Sequence, residues 1–147
     1  MTLVQAVPVI TLAAAERAVA AALAHASENG WTVAVAVADP FGGLVAFGRL
    51  DGTPHPVADY AVDKAYTAAT LKKSTRAFGE RMAGSPTLSL GLANRARVLA
   101  WEGGLPIEHD GRVIGGIGVS GAAGAEDEAC AGAAIAALRT LFQEGDT

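Results

Sequence analysis

At 147 residues the chain has the length of one ordinary domain, enough to bury a core without metal or disulfide staples. A formal net charge of -4, with no interleaving of basic and aromatic residues, argues against nucleic acid or an anionic membrane as partner. The single cysteine, Cys130, excludes an internal disulfide, no HExxH or CxxC spacing supports a closed metal site, and no basic-then-apolar leader or long apolar run appears, so one metal-free cytoplasmic domain over residues 1–147 is expected.

The composition is 51% hydrophobic but only 5% aromatic, with 18 glycines, which points to an alanine and valine core whose elements approach closely. In chain order, Thr11 caps a first helix reaching about Asn29, with Leu12, Ala15, Val19, Ala22, Leu23 and Ala26 at helical spacing and Asn29-Gly30 as its stop. Trp31 to Ala38 and Leu44 to Leu50 flank the turn Asp39-Pro40-Phe41-Gly42-Gly43 and read as a β-hairpin. Because valine and alanine fill both faces of the first of these strands, it is expected in the centre of a sheet covered on each side.

Asp51 to Pro56 reads as a loop, broken by two prolines and a glycine, before a helix from Val57 to Leu71. Ser74 or Thr75 caps a shorter helix to about Ala83, Gly84-Ser85-Pro86 interrupts the chain again, and Thr87 to Arg97 gives no clear period. Val98–Trp101, Leu105–Glu108 and Arg112–Ser120 read as strands of a β-meander, the last two joined across His109-Asp110-Gly111. The acidic Glu126-Asp127-Glu128 opens a final helix over Ala125 to Phe142, where it complements the helix dipole. The order α-β-β-α-α-β-β-β-α, with consecutive hairpins, predicts an α+β domain with an antiparallel sheet. Repeated glycines beside its last strand mark either a crowded surface or one that faces a ligand.

Four ordered segments carry a resemblance: Val35 to Phe47 (VAVADPFGGLVAF), Asp63 to Ala69 (DKAYTAA), Gly103 to Pro106 (GGLP) and Gly111 to Gly121 (GRVIGGIGVSG). Together they resemble the haem-degrading family, the GlcG/HbpS-like group to which the PduO C-terminal domain is related. The resemblance implies a profilin-like α+β fold with a five-stranded antiparallel sheet, assembled as dimers or higher homo-oligomers. It also implies either haem or corrinoid-related binding or catabolic chemistry on ring-cleavage acids of the aminomuconate type. The sequence departs from the family pattern after Asp51-Gly52, where many members carry a small residue and a serine and this chain has Thr53-Pro54-His55-Pro56.

Of the three histidines, His25 reads as a surface or packing residue of the first helix and His109 as a hairpin residue. His55, restrained between two prolines, is the candidate for acid/base chemistry or axial haem ligation, and Glu102, before Gly103-Gly104, is the second catalytic candidate. Arg49 and Lys64 form the expected cationic wall for a carboxylate, with Gly104, Gly116, Gly118 and Ser120 as further ligand-binding candidates. The resulting expectation is an enzyme that deaminates, hydrolyses or tautomerises a small unsaturated, anionic acid in aromatic catabolism and needs no cofactor. The alternative is a non-catalytic haem or tetrapyrrole binder for storage or sensing.

Overall fold

The computed structural model describes residues 1–145 and runs α1 (Leu12–Glu28), β1 (Ala34–Ala38), β2 (Leu44–Arg49), α2 (His55–Leu71), α3 (Thr75–Ala83), α4 (Pro86–Leu92), β3 (Gly104–His109), β4 (Arg112–Ser120) and α5 (Gly124–Gly145). The strands form one antiparallel sheet in the order β2-β1-β4-β3. The fold is therefore α+β, as the hairpin pattern predicts.

Every residue of β1 is buried, because helices cover both faces of the strand. Val35 and Val37, with Ile117 and Val119 of β4, pack in one core with α1 and α5. Ala34, Ala36 and Ala38 point the other way, onto Ala61, Ala65 and Ala69 of α2. The two faces thus differ in side-chain size. On the valine and isoleucine face, each fully buried side chain contributes about 1.5–3 kcal/mol of hydrophobic stabilisation. On the alanine face little side-chain volume separates the layers, so α2 settles almost backbone to backbone on the sheet. Gly116 and Gly118 of β4 lie beneath it: a Cβ at Gly116 would stand 2.7 Å from the Ala65 carbonyl oxygen, and one at Gly118 would collide with the Ala61 carbonyl and the Ala65 amide.

Several boundaries differ from the sequence reading: β1 starts at Ala34 rather than Trp31, α5 runs from Gly124 to Gly145 rather than from Ala125 to Phe142, and three further differences have a local cause. The sheet has four strands among the described residues, not five, because Val98–Trp101 is not a strand. Its backbone is tied to a side chain instead: Leu99 N–H donates to Thr67 Oγ1 at 3.0 Å, while that hydroxyl donates to the Arg97 carbonyl at 3.1 Å. The expected meander is consequently the single β3–β4 hairpin, turned at Asp110-Gly111 with both φ positive. Gly84-Ser85-Pro86 does break the chain, but it also starts α4, with the Ser85 hydroxyl accepting from Leu88 N–H at 3.3 Å and Pro86 in the first turn. Likewise α2 begins at His55, two residues earlier than expected, because Pro54 and Pro56 sit where the first helical turn has no amide bond to lose. No helix among the described residues is long and apolar enough to cross a membrane.

Candidate functional site

Lys64 lies midway along α2 on the face turned to the sheet, among Ala61, Ala65 and Ala68. The close helix–sheet approach leaves its stem no route to solvent, and the residue is only 2% exposed. Its Nζ donates to the Val119 carbonyl at 2.8 Å, to Ser120 Oγ at 3.3 Å and to Asp127 Oδ2 at 3.0 Å. An ammonium has three donors, so all three are taken. The other oxygen of Asp127 accepts the Ala122 amide at 2.9 Å, which places the carboxylate over the start of α5 as well as against Lys64. Room for this arrangement depends on Gly103. Its φ of +119° suits glycine, and a Cβ there would stand 3.0 Å from Lys64 Nζ and 2.9 Å from the Asp127 Cβ.

Burial works against both charges. It lowers the Lys64 pKa from its ordinary value, opposed by the charges of Asp127 and Glu102, and it raises that of Asp127, opposed by Lys64 and by the Ala122 and Gly121 amides. The same surroundings push the buried Cys130 thiol up to about 11, burial first and then Asp127 and Glu126, so that sulfur is an inert core atom.

The Lys64 cluster forms one wall of a cleft of about 830 Å³. α2 supplies Val57 and Lys64, α3 supplies Arg76, Gly79, Glu80 and Ala83, the segment before β3 supplies Ala100, Trp101 and Glu102, and the β4–α5 junction supplies Ser120, Ala122 and Asp127. Arg76 is held by Glu128 through Nε, at 3.1 and 3.2 Å from the two carboxylate oxygens, and lies 3.6 Å from Glu80. Trp101 is exposed at the rim, in a T-shaped contact with Tyr60 at 5.4 Å between ring centroids. Glu102 is half-buried and makes no hydrogen bond or ion pair among the described residues, although its charge is felt by Lys64 and Arg76.

The structure brings Lys64, Glu102 and Ser120 of the sequence candidates into this cleft. Arg49 and His55 are not among its lining residues. They meet each other instead, with Arg49 Nη1 3.4 Å from His55 Nδ1, both side chains exposed. His55 and Val57 are two residues apart on α2, about 200° around a helix, so the turn that sends Val57 to the cleft sends His55 to the opposite side. Gly116 and Gly118 face α2 rather than the cleft, and the Gly104 amide donates to Thr75 Oγ1 at 2.9 Å, clipping β3 to α3. The other histidines are also elsewhere: His25 lies beside Trp31 and His109 beside Phe142. Sequence reasoning missed Arg76, Trp101 and Asp127. Asp127 was visible only as an acidic helix start, and a partner 63 positions away leaves no local trace.

Fold and site together define an α+β protein with a ligand-sized cleft built against a buried lysine–aspartate pair. The family model described as haem degrading protein HbpS-like matches residues 10–136, and the chain belongs to that family. Among curated relatives, Protein GlcG of Escherichia coli strain K12 is 36% identical over 103 residues, covering 69% of this chain and 74% of GlcG. Among solved structures, Klebsiella pneumoniae ORFY superposes with a TM-score of 0.88 at 32% identity, over 95% of this chain and 97% of ORFY. PduOC in complex with haem superposes with a TM-score of 0.81 at 26% identity, over 88% and 94% of the two chains.

Proposed function

We propose that this chain binds a small organic molecule in the cleft beside Lys64 and that Glu102 is the group able to exchange a proton with it. The observation that carries this reading is the half-buried, unpartnered Glu102 carboxylate in a cleft of about 830 Å³ whose other charged groups are engaged. That volume lies within the usual range for small-molecule sites, about 300–1,000 Å³. Lys64 and Asp127 act as the frame: with three acceptors on its ammonium, Lys64 fixes the β4–α5 junction and leaves no N–H for a ligand carboxylate. As an enzyme, the protein would therefore rely on Glu102 as its acid/base, with the Ser120 hydroxyl lining the same cleft. An unsaturated acid as substrate would find neither Arg49 nor a free Lys64 to hold it.

The test is a fragment screen read by the indole resonances of Trp101 and Trp31. Saturable shifts at Trp101, which lines the cleft, and none at Trp31 on the far side of the sheet, support the reading. Hits that shift neither indole but move resonances around Arg49 and His55 would overturn it.

A haem-binding reading draws on the likeness to PduOC, solved with haem. The cleft does not fit a histidine-ligated haem, since His25, His55 and His109 all lie outside its lining. A haem titration followed by absorbance is expected to show no saturable Soret shift. A one-to-one shift lost on Trp101→Ala would restore the haem reading at this cleft.

A further inference from the structure

We infer that the cleft selects a flat, apolar organic cation, held with its positive group against Glu102 and its body against Trp101. This rests on the reading of the cleft as a ligand site and names the class of ligand it takes.

Three features of the cleft are of the kind that attract anions, and the chain's own carboxylates occupy all three. The Lys64 ammonium is bound by Asp127. The Arg76 guanidinium is bound by both oxygens of Glu128 and flanked by Glu80. The start of α5, whose free amides would otherwise receive an anion, is capped from within: Ala122 N–H donates to Asp127 and Ala123 N–H to Glu126 at 3.0 Å. An incoming carboxylate would have to displace a group from Lys64 or from the start of α5, or take the remaining Arg76 N–H groups beside the charges of Glu128 and Glu80. Two cations, Lys64 and Arg76, thus meet four carboxylates, Glu80, Glu102, Asp127 and Glu128, and the one without a partner is Glu102.

The walls specify the rest of the ligand. Trp101, next to Glu102 in the chain, is 59% exposed and packs T-shaped with Tyr60 at an interplanar angle of 85°. An indole face stabilises a cation within about 6 Å and accepts a flat ring by stacking. Elsewhere in the lining, Gly79, Ala83, Ala100 and Ala122 offer small apolar contacts and no further donors from their side chains. A carboxylate and an indole lining one cleft with several alanines match an amidinium, a benzylic ammonium or a protonated nitrogen heterocycle.

Benzamidine, benzamide and benzoate share one shape and differ in charge, so they separate charge from fit. Each is titrated into the full chain while the Trp101 indole N–H is followed by NMR, with a Trp31→Phe variant assigning the resonance. The expected result is saturable binding of benzamidine about tenfold tighter than benzoate, with benzamide between them, and loss of that order in Glu102→Gln with the remaining amide spectrum unchanged. Benzoate binding as tightly as benzamidine, or a cation preference that survives Glu102→Gln, would overturn the inference while leaving the cleft as a ligand site. If none of the three moves the Trp101 resonance saturably, the ligand-site reading itself fails, and the inference with it.

Discussion

α2 carries two polar groups that are equally prominent in the sequence and have opposite fates in the fold. His55, at the first residue of the helix, meets Arg49 in the open, 3.4 Å away and surrounded by solvent. Lys64, nine residues on, is sealed under the helix with three acceptors, one of them a buried carboxylate. The first pair is held by little besides its own weak contact, whereas the second is fixed by α2, β4 and α5 together. The difference teaches that the charge of a site is set by what the chain has already paired. A lysine in a motif adds no net attraction for an anion when an aspartate from a distant helix has reached it first.

Four measurements break or sharpen this contrast, and the largest effect belongs to the sealed group. Asp127→Ala leaves a buried ammonium without its carboxylate and is expected to lower unfolding stability by about 3–5 kcal/mol in chemical denaturation. A double change, Lys64→Met with Asp127→Leu, should recover most of that loss, since it removes both charges and keeps the volume filled. If Asp127→Ala cost no more than Arg49→Ala, the two groups would be energetically alike and the contrast would fail.

Next is the close approach that buries the lysine. Gly118→Ala places a methyl against the Ala61 carbonyl and the Ala65 amide, and overpacking of this kind costs about 1–3 kcal/mol. Thermal unfolding of that variant, compared with Gly52→Ala, also helps to separate crowding from backbone preference. Gly52 has a positive φ of +84° with nothing within 4 Å of an added Cβ, so it strains the backbone without crowding it.

The third expectation is a pH dependence. Burial lowers the Lys64 pKa, so on the alkaline side, between its folded value and the ordinary value near 10.5, the unfolded chain binds more protons and stability rises with pH. Burial raises the Asp127 pKa, so just above the ordinary value near 3.8 the folded chain binds more protons and stability falls as pH rises. Subtracting the melting-temperature profile of the Lys64→Met, Asp127→Leu variant from that of the wild type should leave these two slopes. A flat difference would show that the pair titrates as it does in the unfolded chain.

The smallest effects are expected at the exposed pair. Arg49→Ala and His55→Ala should each change stability by less than about 0.5 kcal/mol and leave ligand shifts at Trp101 unaltered. A tenfold loss of binding in either would bring the exposed pair into the site.

The contrast also explains what was legible in the sequence. Local signals located the helices well: Thr11 and Ser74 cap α1 and α3 through their hydroxyls, and the two-sided valine and alanine of β1 identified a central strand. Where a backbone group takes a distant side-chain partner, pattern reading failed. Val98–Trp101 has the composition of a strand, yet Thr67 from α2 holds its backbone. The glycines of β4 were visible as a marker of close approach, but one sequence cannot tell a ligand from a helix as the object approached, and for Gly116 and Gly118 it is α2. Glu102, Lys64 and Ser120 were chosen from motifs and do share a cleft, whereas Asp127 and Arg76, which decide its charge, come from helices that meet only in the folded chain.

The glycine and alanine contact between β4 and α2 has a mechanical consequence. Between these two elements lie only alanine methyls and the Lys64 side chain, whose ammonium is fully bonded, so little can change rotamer and they behave as a single stiff plate. The α3 wall is built otherwise: that helix buries only Thr75 and Phe78. A cleft with one unyielding side and one lightly anchored side widens in one direction only. Ligands of different girth will therefore be accommodated by displacement of α3, while the distance from Lys64 to β4 stays the same.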